Sequence, residues 1–365
     1  MEKNDVNVIH NKIATDFDVK GSNITIFKNG EILANDSYGV AHERNGLKTI
    51  VTEDTIYRIA SISKLVSAML VMREVDAGNI SLDDKLTDLI DPRLFNPDFP
   101  NNKPTLRQIM NHTSGIRETK GYWDALREAP YKGLDDILSA ESPFITEPGT
   151  TYRYSNFGGG LMAAVIEKVT GMRFHEYAKQ NLFDPLDIDA SFFVEGIKNQ
   201  KDIAALGSLD PTLSPLQAKE AWESIPLGEM YLQAHGGLYI SSNNLARIGT
   251  VLAGDGTYKG MRIVSEEGLS LMHKESAKDQ DGVARGLGVH INETVPGTML
   301  YGHTGGAYGA TTNMFYDLKN EYGIVYLSNN STIDKVNNRT LNQTVVNEFL
   351  DPEKRIDESN HLGMR

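Results

Sequence analysis

The sequence predicts an α/β fold of the α+β kind: an antiparallel sheet built from both ends of the chain, flanked by helices, with a mainly helical lobe inserted in the middle. Three observations carry this. Apolar residues alternate, as in half-buried strands, near the N-terminus. They do so again in the C-terminal third. Between these regions the apolar spacing is helical and the helical stretches close on glycine.

Taken in order, Asn23 to Lys28 alternates as a strand, Asn29-Gly30 gives a strong hairpin signal, and Glu31 to Tyr38 returns as a second strand. Ser61 to Ala77 carries Leu65, Met69, Met72 and Val75 on one side of a helix, and Gly78 ends it. Leu106 to Met110, Gly159 to Thr170 (closed by Gly171) and Phe174 to Leu182 also read as helices. Thr311 to Tyr316 and Gly323 to Leu327 read as strands joined by a polar turn near Lys319-Asn320, and a helix follows from about Thr340 to Leu350. Residues 1–60 and 228–365 are thus expected to form a discontinuous sheet domain and 61–227 a mainly helical lobe. The groove between them is the expected pocket.

Composition narrows the function. The 365 residues are 40% hydrophobic and 23% charged, as in an ordinary globular protein. A formal net charge of -13 argues against nucleic acid or an anionic membrane surface as a partner. The chain has no cysteine, which removes disulfides, thiolate metal sites and cysteine nucleophiles. No run of about 18 apolar residues predicts a membrane span. The polar stretch from Met1 to Lys12 lacks signal-peptide character. Either the chain is made without a leader and works in the cytoplasm, or a leader has been trimmed, a starting Met added, and the protein works outside it.

The first chemical candidate is Ser61-Ile62-Ser63-Lys64. On a helix, residues three apart share a face, so Lys64 stands one turn above Ser61. A serine hydroxyl needs a base within hydrogen-bonding reach, and a desolvated lysine can serve or share the proton. The helix N-terminus would favour developing negative charge. The bland alternative is a capping serine and a solvated lysine. Ser63 is a rival nucleophile, but it points away from its neighbour Lys64 and reads as structural.

The second candidate is Tyr154-Ser155-Asn156, after the turn Glu147-Pro148-Gly149 and before the glycine-rich start at Gly158 to Gly160. In an extended stretch Tyr154 and Asn156 share one side. A phenol there could take the serine proton and pass it on, and an amide could hold Lys64 and the substrate. Taken alone, a core aromatic and a turn-forming Asn explain the pair as well. The third candidate is His303-Thr304-Gly305-Gly306, before a loop and a strand. Strand glycines admit close approach by a ligand backbone. The N–H of Gly306 could pair with that of Ser61 as an oxyanion hole, and His303 and Thr304 could bind a substrate carboxylate or carbonyl. A glycine-rich turn with a surface His is the alternative. His112, in His-Thr-Ser-Gly, and His235, before Gly236-Gly237, read as structural, although the segment around His235 could line the groove.

These three boxes resemble, in order and spacing, the Ser-x-x-Lys, Tyr-x-Asn and Lys/His-Thr-Gly boxes of the class C β-lactamase and DD-carboxypeptidase family. His112-Thr113-Ser114-Gly115, Pro148-Gly149, Val169-Thr170-Gly171, Pro185-Leu186-Asp187 and His235-Gly236-Gly237-Leu238 match the family pattern too, so the resemblance runs from about Asn23 to Leu350. It implies a β-lactamase/transpeptidase-like fold and a serine hydrolase acting through an acyl-enzyme, with no cofactor or metal. It makes Ser61 the nucleophile, Lys64 and Tyr154 the proton-handling pair, and Asn156 a contact to substrate and lysine. The N–H groups of Ser61 and Gly306 become the oxyanion hole. Which of the pair is the general base stays open.

The third box departs from the β-lactamase form. His303 stands where class C β-lactamases carry Lys, and a histidine is largely neutral at pH 7. His-Thr-Gly resembles instead certain DD-carboxypeptidases, D-aminopeptidases and esterases, so little β-lactam hydrolysis is expected. The expected substrate is a small ester or amide, such as a D-alanyl-type peptide. The alternatives are a true class C-like β-lactamase and a non-catalytic penicillin-binding-like sensor or scaffold. The chain lacks the Gly-x-Ser-x-Gly elbow, the phosphate-binding P-loop and the His-Glu-x-x-His metal motif.

Overall fold

The computed structural model describes residues 3–126, 132–207 and 219–356. The polar N-terminal stretch, for which no element is predicted, is a helix, α1 (Lys3–Asp16). Val6, Ile9, Ile13 and Ala14 do recur at helical spacing there, and Val6, Ile13 and Ala14 are buried. Strands β1 (Gly21–Lys28) and β2 (Glu31–Arg44) form the expected hairpin. Asn29 (φ 49°) and Gly30 (φ 82°) both take the left-handed conformation that a two-residue hairpin turn requires. β3 (Leu47–Ile50) continues the meander, and β4 (Ile56–Arg58) leads into helix α2 (Ile62–Asp76).

Helices α3 (Leu106–Met110) and α4 (Asn156–Thr170) occupy the middle of the chain. Thr105 and Gln108 close a reciprocal capping box on α3. The helix expected over Phe174 to Leu182 is α-helical only to Ala178 and then widens into a π turn over Lys179–Phe183. β6 (Tyr239–Ser241) pairs with β4 on one side and β5 (Ala190–Ser191) on the other in a small three-stranded sheet, and α5 (Ser242–Ala253) follows directly. The last third supplies β7 (Ala277–Lys278), β8 (Ala284–Arg285), β9 (His290–Val295), β10 (Thr298–Ala307), β11 (Ala310–Asp317), β12 (Tyr322–Ser328) and α6 (Leu341–Phe349).

The main sheet has nine strands in the order β3-β2-β1-β12-β11-β10-β9-β8-β7, and its strand pairs are antiparallel. It draws on both ends of the chain: β1 lies beside β12, with Ile24 opposite Tyr326. β1 is buried along nearly its whole length because both faces of the sheet are covered. On one face Ile24, Ile26, Ile324 and Tyr326 pack with Val6 of α1 and Val345 and Phe349 of α6. On the other face Phe27, Met314 and Val325 pack with Leu245 and Ile248 of α5, and this core continues through α2 into α3 and α4. Gly249 of α5 and Gly323 of β12 make room for the Phe27 ring. A Cβ at Gly249 or Gly323 would stand 2.6 or 2.2 Å from the Phe27 ring. Full burial of such a ring contributes about 1.5–3 kcal/mol.

A Ser22–His10–Asp36 chain of hydrogen bonds ties α1 to the sheet, at 2.8 and 2.6 Å. It has the connectivity of a catalytic triad, but Ser22 and His10 are fully buried, so it acts as a clamp. Among the described residues, no helix is long and apolar enough to cross a membrane.

Candidate active site

The site is built where β4 hands over to α2. Ile59 donates to the Leu238 carbonyl (2.9 Å), and Ala60 then turns through φ 50°, a conformation that costs a non-glycine residue about 1 kcal/mol or more. This kink places Ser61 at the mouth of α2. The Ser61 hydroxyl makes no capping bond, so the capping alternative is not the role it plays here. Ser63 is buried, donates to the Ala60 carbonyl (2.7 Å) and accepts from Leu238 N–H (3.1 Å), which fixes the kink and makes it structural.

Lys64 is not a solvated side chain. It is 1% exposed, and its Nζ lies 3.1 Å from Ser61 Oγ, 2.8 Å from Asn156 Oδ1 and 2.7 Å from the His235 carbonyl oxygen. Its stem packs on α4 at Gly159, where a Cβ would come within 3.0 Å of Lys64 Cε. Gly160 is tighter still: a Cβ there would be 1.7 Å from the Tyr231 carbonyl oxygen. The glycines after the second box therefore let α4 approach both the lysine and its surroundings.

Tyr154 and Asn156 arrive together because Ser155 caps α4, accepting from Gly158 N–H at 2.9 Å. The Tyr154 hydroxyl donates to Ser61 Oγ (2.8 Å), and its ring stands 4.9 Å from Lys64 Nζ. Two further residues support this box. The His112 ring packs on Tyr154 at 4.5 Å between centroids, tilted by 40°, and its Nδ1 accepts from Ser155 N–H at 3.3 Å. His112 is thus structural as expected, and it lies beside the site. Its turn segment folds back against the second box, a long-range contact that local pattern does not show. Glu118 was not singled out in the sequence, and its carboxylate accepts the backbone N–H of Asn156, the first residue of α4. Its position six residues beyond His112 carries no local signal.

The third box lies on β10. Gly305 sits directly against the nucleophile's loop: a Cβ would be 2.3 Å from the Ile59 carbonyl oxygen and 3.2 Å from Ala60 Cβ. Thr312, opposite Gly305 on β11, donates to that same Ile59 oxygen (2.9 Å). The turn at Tyr308-Gly309 makes Ala307 and Ala310 a hydrogen-bonded pair. By alternation Gly306 is then a non-hydrogen-bonded position, with its N–H turned away from β11. On that side β9 begins only at His290, opposite Gly302, so the Gly306 N–H lies beyond the paired ladder. Thr304 is half-buried and lines a mixed cavity with Arg285, His290, Asn342, Phe315 and Val346. His303 differs from the expectation of a direct anion contact. It is 2% exposed, its Nδ1 donates to the Thr304 carbonyl, and its ring stacks on His290 at 4.0 Å.

Burial dominates the electrostatics. Desolvation lowers the Lys64 ammonium from its ordinary value to about 7, opposed by the Glu118 charge. Desolvation, with Lys64 nearby, brings His303 down to about 3 and holds His112 and His235 well below the usual histidine range. Desolvation also pushes the Tyr154 phenol up, against the lowering effect of its bond to Ser61. Although 37% of Tyr154 is exposed, its hydroxyl end faces the serine. Near neutral pH the site therefore presents neutral histidines, a neutral phenol and a lysine that divides between its two forms.

Comparison with known proteins finds similar chains along most of this chain's length. The family model described as Beta-lactamase matches residues 9–345. Penicillin-binding protein 4* of Bacillus subtilis (strain 168) is 25% identical over 82% of the chain, and the match spans 66% of that protein's own length, just under two thirds. The octameric penicillin-binding protein homologue from Pyrococcus abyssi superimposes with a TM-score of 0.76 at 24% identity, covering 98% of this chain and 79% of the other. The D-amino acid amidase from Ochrobactrum anthropi SV3 gives 0.70 at 21% identity, covering 93% and 97%.

Proposed function

The chain belongs to the beta-lactamase family, and from that premise and the geometry of Ser61 we propose that it is a serine hydrolase that cleaves small esters or amides through an acyl-enzyme. The observation that carries this is the convergence of three boxes on one oxygen: Ser61 Oγ lies 3.1 Å from Lys64 Nζ and 2.8 Å from Tyr154 Oη.

The partners of Lys64 favour it as the base. Two of its contacts, Asn156 Oδ1 and the His235 carbonyl, only accept hydrogen bonds. A neutral amine gives its two hydrogens to them, and its lone pair then faces the third contact, Ser61. With a pKa near 7 the neutral form is well populated. The Tyr154 phenol, pushed up by burial, keeps its proton and is placed to deliver it to the leaving group.

In this mechanism Ser61 attacks the carbonyl as Lys64 takes its proton. The N–H groups of Ser61 and Gly306 receive the oxyanion. Tyr154 protonates the departing alkoxide or amine and is reprotonated from Lys64. Water then attacks the acyl carbon while giving a proton to the same pair, which returns it to Ser61 Oγ as the acid leaves. Asn156 holds Lys64 and Thr304 offers a hydroxyl to the substrate. The buried, neutral His303 supplies no cation for a β-lactam carboxylate, which favours peptidase, amidase or esterase substrates over β-lactams.

The test is a panel of p-nitrophenyl esters, D-amino-acid amides and a chromogenic cephalosporin, run with wild type and Ser61→Ala. Turnover of an ester or amide that vanishes in Ser61→Ala, with little cephalosporin turnover, is expected. Equal turnover by the two proteins would overturn the proposal.

A further inference from the structure

A cavity of about 20 Å³ is walled by Phe192, Trp222, Leu232, Tyr239, Tyr308 and Arg58. It shares its walls with the site. Arg58 ends β4, three residues before Ser61. His235, whose carbonyl holds Lys64, also lines it, and Tyr308 forms the tip of the β10–β11 turn just past Gly306.

The polar groups in this pocket are incompletely matched. Arg58 is half-buried. Its Nε donates to the Gly236 carbonyl (2.8 Å) and its guanidinium stands 5.3 Å from the centre of the Tyr308 ring. Those contacts leave both terminal nitrogens uncommitted, and Arg58 makes no ion pair among the described residues. Tyr239 is 2% exposed, and its hydroxyl has no hydrogen-bond partner among the described residues. A cation and a phenol against apolar walls are costly unless an acceptor meets them. The size is informative too. One water needs about 10–15 Å³ by this measure, so the cavity holds one or two small polar atoms, the scale of a carboxylate.

We propose that this cavity is a specificity pocket for a carboxylate on the substrate's acyl group, read by the free end of the Arg58 guanidinium with the Tyr239 hydroxyl beside it. The preferred substrate is then an ester or amide of a short dicarboxylic or acidic amino acid. The acyl side is assigned because Tyr154, which serves the leaving group, contributes nothing to this cavity, whereas Tyr308 adjoins the strand that holds the oxyanion. This inference rests on Ser61 being the nucleophile.

Boronic acids test it without turnover, because a serine nucleophile adds to boron reversibly and the carbon substituent takes the acyl position. Inhibition constants are measured for a series of carboxyalkyl boronic acids, each paired with the alkyl boronic acid of matched length. The best carboxylate member is expected to bind wild type about tenfold or more tighter than its alkyl partner, the scale of a charge-assisted hydrogen bond. In Arg58→Met that ratio should fall to near one. Equal binding of the pair by wild type, or a ratio that survives in Arg58→Met, overturns the proposal. Should Arg58→Met fail to fold, seen as loss of fluorophosphonate labelling, Arg58→Gln takes its place with the same two outcomes. If no boronic acid inhibits wild type and Ser61 is not labelled, the nucleophile assignment has failed, which is a different result from loss of the ratio alone.

Discussion

Gly305 and Ile59 are locked backbone to backbone: a single added carbon at position 305 would stand 2.3 Å from the Ile59 carbonyl oxygen. Strand β10 therefore sets the position of the loop that carries Ser61. Gly305→Ala must push the two apart. It is expected to cost about 1–3 kcal/mol in stability, read as a lower melting temperature, and to slow acylation of Ser61 sharply. Gly306→Ala meets nothing closer than 3.9 Å and should keep a melting temperature within a few degrees of wild type. Equal melting temperatures for wild type and Gly305→Ala would show that the contact is not rigid.

The pH profile tests the lysine. If neutral Lys64 is the base, kcat/KM on an uncharged ester rises with pH through an inflection near 7. The Glu118 charge raises the Lys64 value, so Glu118→Gln should move that inflection to lower pH. A profile flat from pH 5 to 9 would remove Lys64 from this role.

Stability should carry the same signature. The folded-state pKa of Lys64 is lowered from 10.5 to about 7, so between these values the unfolded chain binds more protons. The lysine's contribution is then most favourable above pH 10.5 and is lost as pH falls toward 7. Compared with Lys64→Met, wild type should gain melting temperature from pH 7 to pH 9. A constant difference between the two proteins would argue against the lowered value.

His112 offers a test of support without chemistry. His112→Ala removes the ring packed on Tyr154 and the acceptor for Ser155 N–H. It is expected to lower kcat about tenfold to a hundredfold, the scale of a misplaced catalytic group, while Ser61 is still labelled. His112→Phe keeps the packing and should recover part of the loss. Identical kcat values for wild type and His112→Ala would show that the ring contact does not position Tyr154.

Much of this was legible in the sequence, for physical reasons. α2 and α3 announce themselves by apolar spacing and, for α2, by Gly78, and β1–β2 by Asn29-Gly30, because local propensity and tertiary packing agree there. Chemistry and spacing made Ser61, Lys64, Tyr154 and Asn156 candidates, the family resemblance supplied their roles, and the structure brings all four together. What escaped depends on contacts between distant segments. α1 has helical spacing in Val6, Ile9, Ile13 and Ala14, masked by its polar residues, and the His10–Asp36 bond that ties it down joins distant segments. Glu118 and His112 earn their places only once their segment folds against α4. The burial of His303 against His290 depends on strand register, which a Gly-rich box does not display.

The central claim is that the Ser61 oxygen becomes acylated, and the direct measurement is the site of covalent labelling. Wild type is treated with a fluorophosphonate or a fluorescent penicillin, digested, and the modified peptide sequenced by mass spectrometry. The account predicts modification of Ser61, lost in Ser61→Ala and much slowed in Lys64→Ala. Modification at Ser63 or elsewhere, with Ser61 untouched, would contradict it.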